Sequence, residues 1–384
     1  LFVMDSVNYV NNAKLSLDAV LGIDLNNQKY SFKQNKALIN QLPLEFDGFI
    51  QLTDAGQLYD LTFKTPESSF KNFLGLIPEV YSGMIANVKT EGDFEVSGKV
   101  KGELKENVIP TFSLAMKSDN ASFQYPDLPK AVKNIHIDVD VANQTGNLND
   151  TYVDINQLSF KIDQDQFNAQ ASIKNFMENA LVDAKLNGTI NLGNLTKAYP
   201  IKLDKPLSGV LNANIATKFD MNSIEKQAYQ NMVNSGTMSL TGFNYTGPEM
   251  ANAVIINKAA LTFNPSNITL NAFDFKTGKS DLNLTGALNN FYGFMFKKET
   301  LKGTFNLSSN HLEVGDFMTS TTPAEPDQTK KSESVIKVPS FLDCTLNAKA
   351  NTVVYDNLNL KGIQGTLVIK DQAVSLQNVK TNIF

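Results

Sequence analysis

Three short motifs in this 384-residue chain have the residue types and the order needed for acyl transfer by an activated serine. They are S-x-x-K at Ser68–Lys71, S-D-N at Ser118–Asn120 and K-T-G at Lys276–Gly278. In enzymes of this kind the first serine is the nucleophile and the lysine is its base. The S-x-x-K spacing recurs at Ser223–Lys226 and Ser334–Lys337, so this composition supplies it by chance. The large helical domain that would join the motifs is not predicted, and we expect no enzyme.

Few residues in this sequence are suited to binding a metal or transferring a proton. His136 and His311 have no second histidine or cysteine nearby at metal-ligand spacing, and a Ser–His–Asp relay would need one of them. We expect both at the surface, His136 on the polar side of a strand and His311 in a turn. Cys344 stands alone between Leu342 and Leu346, where a small buried side chain is expected. The sequence predicts no catalytic residue, no metal site and no cofactor.

Two further patterns match a binding motif only in part. Gly278–Ser280 ends like a phosphate-binding loop, but Phe273 stands where such a loop has its first glycine. Asp138–Asp140 and Asp163–Asp165 carry paired carboxylates, but neither pair continues into a calcium loop. Alternating carboxylates of this kind are expected on the solvated face of a strand.

The charge balance argues against a nucleic-acid partner. The formal net charge is −5, and all 34 basic residues are lysines, because the chain has no arginine. The bidentate guanidinium contact with phosphate is therefore absent. No stretch combines lysines with aromatic residues as a single-strand binding groove does.

The dominant signal is the alternation of apolar and polar residues at period two, which predicts strands with one apolar face and one wet face. Turns rich in Asn, Asp and Gly separate the runs and favour antiparallel neighbours. The sequence therefore predicts a mainly β chain: an elongated, curled antiparallel sheet, trough-like and repetitive, with two or more short helices. The alternating runs are Leu15–Ile23, Leu42–Leu52, Phe94–Leu104, Ile135–Val141, Val153–Ile155, Leu158–Ile162, Phe167–Ile173, Leu186–Leu192, Leu211–Ile215, Leu282–Leu288, Leu301–Leu307 and Ile363–Ile369.

Helical signals are few. We predict short helices near 66–77, after a proline, and near 222–235, where a capping box begins the helix and Gly236 ends it. Shorter helical pieces are expected at 176–180 and 289–294.

The predicted organisation is one long body with a single interruption. Residues 1–318 form the repetitive β body, and residues 319–336 form a flexible loop rich in Ser, Thr, Pro and Lys. Residues 337–384 continue the strands and stop partway through one. No apolar run approaches the roughly 18 residues of a membrane helix, and no signal peptide is visible. We expect a segment of a longer protein whose targeting and anchoring parts lie outside it.

Glycines recur on the apolar side of the predicted strands, at Gly98, Gly188, Gly286, Gly303 and Gly365. Glycine weakens a strand, so its repeated use indicates a bend, a bulge or the close approach of another group. Two interpretations remain open at this point: tight packing against a second sheet, or room for a bound ligand.

Four stretches resemble the AsmA-like proteins of Bacteroidota-type bacteria: Phe63–Gly102, Gly278–Asn290, Leu301–Asn310 and Leu358–Asp371. The resemblance implies an inner-membrane anchor, outside this segment, and a periplasmic body in a Gram-negative bacterium. It also implies a β trough with an apolar groove that carries phospholipid between membranes and serves outer-membrane biogenesis.

The expected partners are phospholipid acyl chains, the membrane through the external anchor, and envelope proteins. The alternative is a β-sandwich scaffold for envelope assembly or adhesion that binds protein partners. The candidate groove residues share the apolar side of the alternating runs. They are Phe94, Val96, Val100, Ile137, Val139, Phe160, Ile190, Leu211, Ile215, Leu284, Phe305, Leu307, Leu367 and Ile369.

Overall fold

The chain folds into two compact units. Unit 1 comprises Leu1–Gly188 with Lys197–Pro200, and unit 2 comprises Thr189–Thr196 with Ile201–Phe384. The computed structural model describes residues 3–4, 7–8, 15–40, 42–66, 69–71, 88–175, 177–200, 207–228, 231–247, 252–264, 267–320, 334–336, 338 and 340–383.

Unit 1 is built of antiparallel strands. Each strand from β5 onward pairs with its neighbour in the chain, except that β7 pairs with β9 and β8 pairs with β10. Both β3 and β4 pair with β5, and β1 pairs with β2. The strands are β1 (Val3–Met4), β2 (Val7–Asn8), β3 (Leu15–Asp18), β4 (Leu21–Asp24), β5 (Lys29–Ile39), β6 (Leu42–Thr53), β7 (Gly56–Lys64), β8 (Lys89–Glu91), β9 (Glu95–Leu104), β10 (Thr111–Gln124), β11 (Val132–Asn143), β12 (Tyr152–Ile162), β13 (Asp165–Lys174) and β14 (Leu181–Asn191), with a 3₁₀ turn at Leu148–Asp150.

Unit 2 continues the same architecture. Strands β15 to β20 form an antiparallel series, and β23 to β25 form a second one. The elements after β14 are α1 (Leu192–Ala198), β15 (Ser208–Asp220), α2 (Met221–Glu225), β16 (Val233–Tyr245), β17 (Val254–Phe263), β18 (Ile268–Thr277), β19 (Ser280–Leu288), α3 (Phe291–Lys297), β20 (Leu301–Glu313), a 3₁₀ turn (Val314–Phe317), β21 (Met318–Ser320), β22 (Ser334–Ile336), β23 (Leu342–Tyr355), β24 (Leu358–Lys370) and β25 (Ala373–Ile383). The predicted class, mainly β with short helices, is confirmed.

Breaks in the period-two pattern correspond to β-bulges. The runs Val153–Ile155 and Leu158–Ile162 are out of phase in the sequence, yet both belong to β12. One extra residue on β12 lies between Ile155 and Leu158 where the strand pairs with β13. A bulge of this kind shifts the phase by one residue, so both runs keep their apolar side chains on the same face.

Among the pairings that the structure describes, that of β20 with β23 departs from the antiparallel prediction: the two strands are parallel from Leu301 and Leu342 onward. Parallel neighbours need a crossover connection, and residues 314–341 provide it. The predicted flexible loop at 319–336 lies within this crossover. Its ends are strands rather than loop, because Met318–Ser320 pairs with Ser334–Ile336, and residues 321–333 lie outside the described part.

The helix predictions were partly wrong. The helix predicted at 222–235 is the short α2, capped by the Asp220 carboxylate, and β16 begins already at Val233. Gly236 therefore lies inside a strand. The piece predicted at 289–294 is α3, whereas Met177–Asn179 forms a turn and bend. Of the helix predicted at 66–77, Phe70 and Lys71 are helical, and residues 67–68 and 72–77 lie outside the described part.

A carboxylate joins the β18–β19 turn to the end of β20. Asp316 accepts hydrogen bonds from the backbone N–H groups of Lys279 (2.8 Å) and Ser280 (2.9 Å) and from the Ser280 hydroxyl (2.8 Å). Asn252 also donates to the Asp316 backbone oxygen at 3.2 Å. Gly278 has φ +54°, and a Cβ on it would overlap the carboxylate of Asp316. The turn needs glycine both for its backbone conformation and for this contact.

Replacing Asp316 with Ala should lower the free energy of unfolding by about 2 kcal/mol, because Ser280 is buried and its donors lose a charged acceptor. Urea unfolding monitored by circular dichroism measures the change. Glu106→Ala, at an exposed turn, is the control and should change stability by less than about 0.5 kcal/mol. Equal stability of the two variants would show that the carboxylate does not hold the turn.

Candidate functional site

Apolar side chains in unit 1 form continuous rows across the strands. Residues that are partners in register project from the same face of a sheet, so each row is a stripe of neighbouring side chains. Neither row below contains an ionisable group. One row is Val96, Met116, Val139, Ile155, Ala171 and Ala184, and the next is Phe46, Phe63, Gly98, Leu114, Val141, Val153, Ile173 and Val182.

Unit 2 has three such rows across β15 to β25. They too are uncharged. The first is Ile215, Gly236, Phe263, Ile268, Leu288, Gly303, Cys344, Ile369 and Val374; the second is Ala213, Met238, Leu261, Leu270, Gly286, Phe305, Leu346, Leu367 and Leu376; the third is Leu211, Leu240, Ala259, Phe273, Leu284, Leu307 and Ala348.

Burial along these rows is uneven. In the first row of unit 2, Phe263 and Ile268 are only 3% exposed, and they pack in one cluster with Ile224 and Met232. In the third row, most side chains from Leu211 to Leu284 are only half-buried. Leu270, Phe305 and Leu346 of the second row and Leu307 of the third row belong to the same buried cluster, so buried and partly accessible side chains occur together in these rows.

A buried polar network links α3 to strands β15 and β16. The hydroxyl of Tyr292 on α3 donates to Oδ1 of Asn234, and Thr217 Oγ1 lies 3.0 Å from the same hydroxyl. Thr217 also donates to Asn234 Oδ1 at 2.7 Å. On the surface, Lys297 of α3 lies 3.5 Å from Glu225 of α2. The hydrogen bonds attach α3 to β15 and β16, and the ion pair joins α3 to α2; the sequence alone did not indicate this network.

The structure separates the fourteen candidate groove residues into two sets. Phe94, Val96, Phe305 and Leu307 are at most 9% exposed and belong to the protein core. A charge at Phe305 would therefore disrupt folding rather than report on a ligand. The half-buried set is Val100, Ile137, Val139, Phe160, Ile190, Leu211, Ile215, Leu284, Leu367 and Ile369. Met116 also belongs to the apolar face, and its alternation with Phe112 and Leu114 could have identified it.

Neighbouring side chains and backbone occupy the space at the apolar-side glycines. A Cβ on Gly98 would overlap the ring of Phe63, its partner in register, and one on Gly286 would lie 2.8 Å from Cδ1 of Phe305. A Cβ on Gly188 would lie 2.8 Å from Cα of Phe167. Of the two interpretations left open for these glycines, the structure favours the close approach of protein groups, because protein atoms fill the space above them.

The residues with possible chemistry serve structural roles where they are described. Ser68 lies outside the described residues, and Ser118 is buried and donates to the carbonyl oxygen of Asp93 at 2.7 Å. His311 lies in β20 rather than in a turn, and its backbone N–H donates to Asp281. Cys344 is 6% exposed, as predicted, and burial raises the pKa of its thiol.

Within the described ranges, no group of three or more His, Cys, Asp or Glu side chains could hold a metal ion. None of the helices described here combines the length and hydropathy that a bilayer-crossing helix requires. No family model, curated protein or solved structure matches the chain.

Because of the buried Tyr292 phenol, the free energy of unfolding should fall at alkaline pH. Burial raises the pKa of this phenol above the ordinary 10.0, so above about pH 10 the unfolded chain ionises first and unfolding is favoured. Below that pH the stabilisation is fully present. Tyr292→Phe should therefore lose less stability than the wild type between about pH 9 and 11 in urea unfolding. Tyr355→Phe, at a side chain 48% exposed, is the control, and identical pH profiles for all three proteins would contradict the prediction.

Proposed function

We propose that this chain is a non-enzymatic periplasmic segment of an AsmA-like protein whose apolar sheet faces hold phospholipid acyl chains. One observation carries the proposal: uncharged rows run in register across consecutive strands while many of their side chains stay only half-buried. Apolar surface in water is unfavourable, and a hydrocarbon chain lying along such a row gains about 0.8 kcal/mol for each methylene it buries.

The two faces of the sheet differ in the way that this function needs. Val100 on β9 lies between Leu61 and Phe112 on the apolar face. The alternate residues of the same strand face solvent, and Lys101 lies 3.4 Å from the carboxylate of Asp60 on β7. Such a strand offers hydrocarbon to a lipid tail on one side and a hydrated, charged surface on the other.

The proposed setting is transport of phospholipid between membranes, in support of outer-membrane biogenesis. An anchor outside this segment would attach it to the inner membrane of a Gram-negative bacterium, and envelope proteins would be further partners. The resemblance of Gly278–Asn290 and Leu358–Asp371 to AsmA-like proteins supports this setting.

Native mass spectrometry with lipid extraction, on protein purified from the periplasm in mild detergent, tests the proposal. Wild-type protein should carry phospholipid. Val100→Asp places a carboxylate on the apolar face, and we expect about tenfold less lipid per folded protein, equivalent to about 1.4 kcal/mol.

Ser97→Asp is the matched control, because Ser97 is exposed on the polar face of the same strand. It should carry as much lipid as the wild type, and circular dichroism should show both variants folded. Lipid-free wild-type protein with a normal fold would overturn the proposal and favour the alternative, a β-sandwich scaffold that binds protein partners. Equal lipid in both variants would show that bound lipid lies elsewhere.

A further inference from the structure

The cross-strand pair of Phe63 on β7 and Gly98 on β9 differs from the other apolar-side glycines. A Cβ on Gly98 would meet only ring atoms of Phe63 among its three nearest neighbours, with Cε1 and Cε2 at 2.7 and 2.8 Å. The Gly98 backbone is outside the positive-φ region that favours glycine. Gly98 is therefore required for the space above it and not for its backbone conformation.

The missing side chain lets the ring of Phe63 lie down across the neighbouring strand. Aromatic side chains opposite glycine in a sheet cover the exposed backbone in this way. The ring is half-buried, and Leu114, the next residue in the same row, is half-buried as well. The side chains of the apolar face of unit 1 therefore project only a short distance from the backbone at this point, while the ring still contributes its hydrocarbon surface.

The same pairing in unit 2 serves a different purpose. Phe305 lies against Gly286 and Gly303, but it is only 6% exposed and belongs to the buried cluster with Ile224 and Met232. There the contact completes a core. The Phe63 ring is only half-buried, so it forms part of the accessible apolar face.

We infer that Gly98 determines the depth of the lipid-binding face of unit 1 by keeping the Phe63 ring flat against the sheet. This inference rests on the proposed function and names a positioning residue for it: Gly98 acts on an acyl chain only through Phe63. A methyl group at position 98 forces the ring off the sheet and into the space that an acyl chain would occupy. Removing the bulk of the ring removes the obstruction.

The test compares four proteins by phospholipid content per folded molecule in native mass spectrometry. Gly98→Ala should carry about fivefold less lipid than the wild type, equivalent to about 1 kcal/mol. The double variant Gly98→Ala with Phe63→Leu should recover the wild-type content, which a purely structural defect would not do. Gly22→Ala is the control, since a Cβ there meets nothing closer than 3.6 Å and displaces no ring.

The outcomes separate this inference from the proposed function. Lipid-free wild-type protein overturns both, whereas loaded wild type with equally loaded Gly98→Ala overturns only the role of Gly98. A double variant that stays depleted also overturns it. If Gly98→Ala does not fold, Phe63→Trp leaves the glycine intact and enlarges the ring. Its lipid content should then fall, and an unchanged content would contradict the inference.

Discussion

The whole structure depends on one constraint: each strand must keep its apolar side chains on one face while its backbone stays hydrogen-bonded in the sheet. The rows through Met116 and Val139 in unit 1 and through Leu261 and Leu346 in unit 2 are the result. Because a slip of one residue would turn a strand's apolar side chains to the wrong face, the register is strongly specified. Bulges such as the one after Ile155 preserve the face where the sequence changes phase.

The extent to which protein atoms shield these apolar faces from water distinguishes the core of the molecule from the surface that we propose binds lipid. Ile224, Met232 and Tyr292 pack in one buried cluster with Phe263 and Ile268 of the first row of unit 2, and that region is an ordinary protein core. The residues around Leu211 and Val139 have the same chemistry but only partial cover. Exposure rather than residue type therefore distinguishes a surface that can receive an acyl chain from one that is already filled.

The residues that suggested chemistry show the same dependence on context. Gly278–Ser280 resembles the end of a phosphate-binding loop, and its backbone N–H groups do bind an anion. That anion is the chain's own Asp316 carboxylate, which closes the turn. Ser118 would be a catalytic candidate by motif, yet its hydroxyl is committed to a backbone carbonyl. Both groups contribute to stability through hydrogen bonds that an external ligand would have to displace.

The sequence by itself determined the class of fold, the apolar face of the strands whose residues alternate regularly and the burial of Cys344, because a side-chain period of two follows directly from extended backbone. It did not determine the short length of α2, the parallel pairing of β20 with β23, or the cover over the apolar rows. Local capping signals cannot show that Val233 already belongs to a strand, and partners far apart in sequence leave no local trace. Only the tertiary structure placed Phe63 over Gly98 and Phe305 in a core, because both contacts depend on which strands become neighbours.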